Sequence, residues 1–334
     1  MKTAIVILNW NGKNLLERFL PSVIENSKHL ADIYLADNAS TDGSVAYCKT
    51  HFSEVNIVQN LENGGYAKGY NDALQHIQAD LYVLLNSDVE TPKGWLDPMV
   101  ALFKQDSSLG AAQPKILDLN KKTHFEYAGA AGGFLDTLGY PYCRGRIFDH
   151  CEEDKGQYND TIEVDWASGA CLFIKADVFK EVQGLDEDYF AHQEEIDLCW
   201  RIQNHGYKVM ACGATAIYHL GGATLSNINP KKTYYNFRNS LFTIVKNETK
   251  GIFLRILIRL ILDGIAGVRF LFKGKLSHVW AIIKAHFSFY FYIPKFLRKR
   301  RKQHKVSILK KPNTIVYSYY IKGIKKFTDL INKG

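Results

Sequence analysis

Three polar constellations in this chain have residue types and spacings that could do chemistry. The first is Asn86-Ser87-Asp88, which closes the apolar run Leu81-Tyr82-Val83-Leu84-Leu85. A carboxylate at the end of a buried strand suits a divalent cation that holds phosphate oxygens. Asn and Asp also turn chains, so the spacing alone leaves both uses open. The second is Glu194-Glu195-Ile196-Asp197, three acids at the start of a helical pattern. The helix dipole favours acids there, yet such crowding can also hold one carboxyl in the raised range a general base needs. The third is His219, in Tyr218-His219-Leu220-Gly221-Gly222. It ends a strand-like segment, where it could aim a ring nitrogen at a metal or serve only as a packed residue.

The elements that must position these groups alternate. Ala4–Leu8, Ile33–Ala36, Val55–Val58 and Leu81–Leu85 read as short buried strands. Between them the apolar periodicity predicts helices over Asn14–Asn26, Ser44–Phe52 and Tyr70–Ile77, with a kink or early stop at Pro21. This order implies right-handed crossovers and a mostly parallel sheet, an α/β fold. Each early strand ends on polar residues: Asn9 and Asn11, Asp37 and Asn38, Asn63 past the third, then Asn86 and Asp88. Open α/β sheets bind ligands outside those carboxyl ends. Asp37 could accept the imide hydrogen of a pyrimidine, and Gly64, Gly65 and Gly69 would let backbone approach a ligand. Neither a GxGxxG fingerprint after the first strand nor a P-loop is present.

Further along, helices are expected at Trp95–Lys104, Lys175–Val182 and Glu194–Asn204, and strands at Gly110–Leu117, Glu163–Ile174 and Tyr207–Tyr218. Pro114 argues for an edge or end position. Residues 120–160 lose periodicity and read as a long loop over the site. The six cysteines show no zinc-like or CxxC spacing. Ala4–Leu8 is too short for a signal-peptide core, so a reducing, cytoplasmic location is expected.

The net charge of +8 hides an asymmetry: residues 1–230 carry 18 basic against 31 acidic residues, and residues 231–334 carry 24 against 3. Two units follow, an acidic catalytic body over 1–245 and a basic helical region over 246–334. Ile252–Phe272 has the length of a membrane span but contains Arg255, Arg259, Asp263 and Arg269 on one side, with a broad apolar face opposite. That pattern favours a helix lying in a membrane interface over one crossing it. His278–Tyr292 is a second apolar, aromatic segment, followed by the basic run 295–302, which suits anionic lipid. A helical pair packed on the catalytic body and a nucleic-acid patch are the weaker readings, and no nucleic-acid partner is expected.

Taken in order, the motifs resemble an inverting glycosyltransferase of family 2, with the nucleotide-sugar-binding fold called GT-A, in its rhamnosyltransferase-like branch. The matching pieces are Val6–Asn11, Asp37–Gly43, Asn63–Asn71, Leu85–Asp88, Gly184–Glu187, Glu194–Arg201 and His219–Gly222. The resemblance implies that Asn9 and Asp37 contact the donor's nucleoside, with Asn11, Asn63, Lys68 and Asn86 nearby. It implies Asp88 and His219 as ligands of Mg²⁺ or Mn²⁺ and Glu195 as catalytic base, with Glu194 and Asp197 as alternatives beside the acceptor. Trp166 and Ser168 would meet the acceptor, the indole stacking on a sugar ring. Asn86 replaces the first Asp of the usual DxD motif, and Glu195 stands where most members have Asp. The implied partners are a nucleotide-diphosphate sugar, with rhamnose the sugar the branch suggests, and a saccharide or lipid-linked acceptor in cell-surface polysaccharide assembly. The implied setting is peripheral on the cytoplasmic face of the plasma membrane. A sugar nucleotidyltransferase would ordinarily show a glycine- and arginine-rich N-terminal loop, which is missing. A decayed sugar-nucleotide-binding or scaffolding protein is the non-enzyme alternative, motivated by Asn86 and Glu195.

Overall fold

The computed structural model describes residues 1–221, 229–300, 307–309 and 314–333. Gly222 of the His219 motif, and Arg301 and Lys302 of the basic run, lie outside the described residues. The first half alternates as its sequence requires: β1 (Thr3–Asn9), α1 (Lys13–Ser27), β2 (Ala31–Asp37), α2 (Ser44–His51), β3 (Asn56–Gln59), α3 (Gly65–Leu74) and β4 (Leu81–Asn86). A short β5 (Val89–Glu90), α4 (Leu96–Gln105) and β6 (Leu109–Asp118) follow. Then come β7 (Gly133–Leu135), β8 (Pro141–Cys143), β9 (Arg146–Ile147), β10 (His150–Cys151), β11 (Thr161–Glu163) and β12 (Cys171–Lys175). The sheet-bearing part closes with α5 (Ala176–Glu181), α6 (Glu194–Asn204) and β13 (Lys208–His219).

Nine strands form one twisted sheet in the order β11-β13-β6-β12-β4-β1-β2-β3, with β5 paired to the end of β13. β1, β2, β3 and β4 run parallel, as do β6 and β13, while β12 enters antiparallel between β4 and β6. The continuous apolar runs are explained by burial on both faces, since side chains alternate across a strand. Val6, Tyr82 and Leu84 join the core under α3 and α6. Ile5, Ile7, Val83 and Leu85 join the other, under α1 and α4.

Several expectations need correction. α1 runs through Pro21, which lies on the exposed side of the helix where the carbonyl it leaves unbonded can be hydrated. α3 begins at Gly65 rather than Tyr70; its glycines hide a helix because close packing demands them. A Cβ on Gly69 would come within 2.5 Å of the Asn38 side chain. β6 is central rather than an edge: Pro114 sits opposite Cys212, where the pairing with β13 jumps to Ala216. The missing N–H therefore falls at an irregularity, a place where proline is tolerated. Residues 120–160 contain a small antiparallel sheet, β10-β9-β8-β7, whose strands of two or three residues are too short to show a period. The strand expected over 163–174 divides into β11 and β12, with Trp166–Gly169 crossing between them.

The C-terminal elements are α7 (Pro230–Asn247), α8 (Ile252–Phe272), α9 (Leu276–Lys299), α10 (Ile315–Tyr320) and α11 (Phe327–Lys333). α8 is turned inside out relative to a surface amphipathic helix. Its charged side faces the catalytic body: Arg259 and Asp263 are 2% and 1% exposed. Arg259 donates to the Leu138 carbonyl and to Ser240, and its guanidinium stacks on Tyr140. Arg255 donates to the Thr137 carbonyl, and Asp263 pairs with His286 of α9. α10 and α11 return to the small sheet, where Phe327 stacks on Phe134 and Thr314 donates to Asp136. α9 is pinned to α7 by the parallel stack of Phe242 on Phe296, with ring centroids 3.8 Å apart. Phe296→Ala should cost about 3–5 kcal/mol, the range for a buried aromatic truncation. A chemical-denaturation midpoint equal to wild type would show that this stack does not hold α9.

Candidate active site

The strand register sets the first part of the site. Asn9 at the end of β1 lies beside Asp37 at the end of β2, and Leu8 lies beside Asn86 at the end of β4. Asn9 is fully buried and donates to Asp37 (2.9 Å), Ser40 (3.1 Å) and Ser44 (2.9 Å). Asp37, also fully buried, accepts from the Ser40 amide. The pair therefore fixes the loop 38–44 against the end of β1. Asn11 is exposed and continues the seam, accepting from the Thr41 amide at 2.7 Å. Asn63 accepts from the Gly65 amide at the start of α3. Lys68 lies on the same helix but is paired with Asp72 at 2.6 Å.

The second part joins β4 to the end of β13. β5 pairs Val89 with His219, which brings Asp88 and the His219 ring together. The His219 Nε2 lies 3.1 Å from Asp88 Oδ1 and 3.4 Å from the Asn86 amide nitrogen. Its Nδ1 lies 3.1 Å from Glu126. Burial disfavours a charged ring, but hydrogen bonds to Asp88 and Glu126 outweigh it and push the imidazole up to about 10. Asp88 Oδ1 and His219 Nε2 thus share one hydrogen at a corner where an oxygen- and nitrogen-ligated cation could replace it. Among the described residues no group of three or more His, Cys, Asp or Glu has the arrangement of a metal cage. Two protein ligands suit Mg²⁺-type sites, whose remaining positions go to water and substrate phosphate.

The third part is the first turn of α6. The chain enters it through Phe190, His192 and Gln193, all at positive φ (64°, 68° and 73°), a conformation costly for side-chain-bearing residues. Asn239 of α7 holds that turn, donating to the carbonyls of Tyr189, Ala191 and His192 at 2.7–3.1 Å. The turn delivers three acids with different environments. Asp197 is fully buried and accepts from Arg201 (2.8 Å), Lys246 (2.8 Å) and Asn247 (2.7 Å). Burial opposes its charge, but Arg201 and Lys246 hold the carboxyl below its ordinary value. Glu194 is 5% exposed, its Oε2 lacks a partner, and burial followed by the Glu195 charge raises it well above the usual range. Glu195 is partly buried, and burial raises it to about 7 against the opposing backbone N–H groups of the helix start. Gly169 lets Tyr66 approach its backbone beside Glu195: the Tyr66 hydroxyl donates to the Gly169 carbonyl at 2.8 Å, and a Cβ on Gly169 would lie 2.9 Å from that hydroxyl and 3.8 Å from the Glu195 Cβ.

Two expected acceptor contacts do not reach open space. Trp166 is 3% exposed, its ring lies against Gly133, and its Nε1 donates to the Phe134 carbonyl. Ser168 is 1% exposed and donates to the Ala128 carbonyl. Both brace the segment that places Gly169, and Asp197 is likewise consumed by its basic partners. Reading the sequence missed Glu126, Asn239 and Lys246. Each lies far in sequence from the group it holds, so no local spacing marks it.

A sheet of this order, with polar strand ends facing an acidic helix turn, is the GT-A arrangement of glycosyltransferases. A glycosyl transferase family 2 model matches residues 4–182, over half of the chain, and the chain belongs to that family. It is 26% identical over 239 residues to N-acetylglucosaminyl-diphospho-decaprenol L-rhamnosyltransferase of Mycobacterium tuberculosis, covering 66% of this chain and 76% of that protein. S. aureus TarS 1-349 in complex with UDP-GlcNAc matches with a TM-score of 0.56 at 16% identity, covering 90% of this chain and 84% of that one. The mannosyltransferase PcManGT from Pyrobaculum calidifontis, in complex with GDP-Man and Mn²⁺, matches with a TM-score of 0.52 at 12% identity, over 90% and 84% of the two chains. The structural likenesses show the fold, and the family makes this chain a glycosyltransferase.

The raised Glu195 carboxyl also has a thermodynamic sign. It binds its proton more tightly folded than unfolded, so the stability it contributes is present below about pH 4.5 and lost as pH rises through about 7. Glu195→Gln removes that titration. Its melting temperature should exceed wild type by more at pH 8 than at pH 5, at about 2–4 °C per kcal/mol. A pH-independent difference in thermal melts would contradict the raised carboxyl.

Proposed function

We propose that this chain is a metal-dependent inverting glycosyltransferase that moves a sugar from a nucleotide-diphosphate donor to a saccharide or lipid-linked acceptor in cell-surface polysaccharide assembly. The observation that carries the reading is Glu195: a partly exposed carboxyl raised to about 7 at the start of a helix, beside Gly169 and Tyr66. A base of that strength accepts a proton from an acceptor hydroxyl at neutral pH. The hydroxyl oxygen then attacks the anomeric carbon from the side opposite the nucleotide, and one displacement inverts that centre. Asn9, Asn11, Asp37, Asn63, Lys68 and Asn86 line the donor side in this reading, with Asn9 and Asp37 shaping the nucleoside pocket through their mutual bond. Asp88 and His219 are the residues that would hold Mg²⁺ or Mn²⁺, and a cation there stabilises charge on the departing diphosphate. The Mn²⁺ and GDP-Man of the Pyrobaculum neighbour and the UDP-GlcNAc of TarS support a nucleotide-sugar donor, and the former a divalent cation, on this fold. Glu194, buried and with an orphan oxygen, is the alternative base.

The rhamnosyltransferase relative supports rhamnose as a donor sugar and a diphosphate-linked lipid saccharide as acceptor class. Anchoring at the cytoplasmic face of the plasma membrane fits such an acceptor. Among the described residues no helix is long and apolar enough to cross a membrane. α8 and α9 nevertheless expose Phe253, Ile261, Ile265, Phe272, Trp280 and Phe287, each more than half accessible. A helix pair that turns its charges inward and its large apolar side chains outward suits the acyl–headgroup boundary. In this reading residues 1–245 form the catalytic unit and 246–334 the membrane-associating one.

Two experiments check these assignments. Glu195→Gln should lower transfer by about 10²–10⁴-fold while leaving donor binding intact, and wild-type kcat/KM should rise with pH through about 7. Full transfer by the variant in a donor screen would remove Glu195 as base. The full chain should float with anionic lipid vesicles and resist a high-salt wash, because apolar burial is not screened by salt. The Ile261→Asp, Phe287→Asp double variant should remain in the soluble fraction; equal flotation would remove these helices as the anchor.

A further inference from the structure

We propose that Glu126 is a positioning residue for the metal corner: it holds the His219 imidazole by Nδ1, so that Nε2 presents its lone pair to a cation that replaces the hydrogen shared with Asp88. This rests on the reading that Asp88 and His219 hold the cation. Glu126 lies in the segment between β6 and β7, distant from both ligands in sequence, and is 8% exposed. Its backbone N–H bonds to the Ile116 carbonyl, and its Oε2 accepts from the Ala128 amide at 2.6 Å. The carboxylate is therefore held before it meets the imidazole. Gly221, at φ 68°, completes the fit, since a Cβ there would lie 2.7 Å from Glu126 Oε1.

The geometry divides the work between the two ring nitrogens. Nδ1 faces Glu126 at 3.1 Å, whereas Nε2 faces Asp88 and Asn86 at the ends of the parallel strands. A neutral imidazole has one N–H, and an ionised carboxylate can only accept. When a cation displaces the hydrogen between Nε2 and Asp88, the N–H that remains is the one on Nδ1, which Glu126 accepts, and the Nε2 lone pair is left for the cation. A carboxylate behind a ligating histidine orients the ring, raises its basicity and typically accounts for 10–100-fold in metal affinity.

The test is Mn²⁺ binding to the full chain without nucleotide, followed by the electron paramagnetic resonance signal of the free ion. Glu126→Ala should weaken binding about 10–100-fold, and Glu126→Gln, whose amide oxygen can accept the same hydrogen, should restore most of it. His219→Ala is the reference for losing the ligand itself. Wild-type affinity in Glu126→Ala, with binding lost in His219→Ala, overturns the role of Glu126 alone. Wild-type affinity in His219→Ala, or no binding by wild type, overturns the metal assignment beneath it. Nitrogen-15 spectra of Mg²⁺-loaded wild type read the tautomer without any substitution. An Nδ1–H ring is expected, and an Nε2–H ring overturns the proposal even if Glu126→Ala fails to fold.

Discussion

A carboxylate with no solvent exposure at the first turn of a helix is the constraint on which the placement of Glu195 depends. Asp197 joins two helices through three residues: Arg201 from its own helix α6, and Lys246 and Asn247 from α7. Lys246 also reaches Asp186, which Lys299 of α9 contacts in turn. Removing one member would leave a buried charge without compensation, at a cost of about 3–5 kcal/mol. The network therefore fixes α6 relative to the C-terminal helices. It also forces division of labour among neighbouring acids: Asp197 stays ionised because cations surround it, whereas Glu195 has only backbone N–H groups and burial. Two positions in a helix separate a structural anion from a carboxyl suited to proton transfer.

The polar strand ends, the donor side of the proposed reaction, obey a different rule, the register of parallel strands. Because β1, β2 and β4 pair without slippage, their polar tips reach one edge of the sheet together. A single-residue slip would turn those side chains to the other face. The metal corner adds a long-range connection: β5 delivers His219 to Asp88, and the segment after β6 delivers Glu126 to the far side of the same ring. The inside-out α8 extends the same economy, with its charges binding the catalytic body and its apolar residues left outward.

What was legible in the sequence follows the range of the interactions involved. β1, β4, α6 and α8 carry long apolar or amphipathic patterns, and their bounds were readable to within a residue or two. Asn9, Asp37, Asp88 and His219 were marked because they lie at strand ends and within an ordered series of motifs; the bonds Asn9 makes to Asp37 and His219 to Asp88 come from the register and from β5. α3 was shortened in the reading because its glycines serve close packing rather than a turn. β7–β10 were missed because strands of two or three residues contain no alternation. Trp166 read as a sugar platform because its burial depends on Gly133, more than thirty residues away. Glu126, Asn239 and Lys246 were invisible for the same reason: each acts on a group brought near only by the complete fold. The central position of Pro114 depended on an irregular register that neither strand announces alone.

In the proposed reaction, base and departing nucleotide act from opposite sides of one anomeric carbon. The most direct measurement of this is the anomeric configuration of the first product formed with whichever donor supports transfer, read from proton coupling constants before equilibration. The account predicts inversion in a single displacement, with no glycosyl–enzyme species trapped in Glu195→Gln. Retention of the donor's configuration would contradict it.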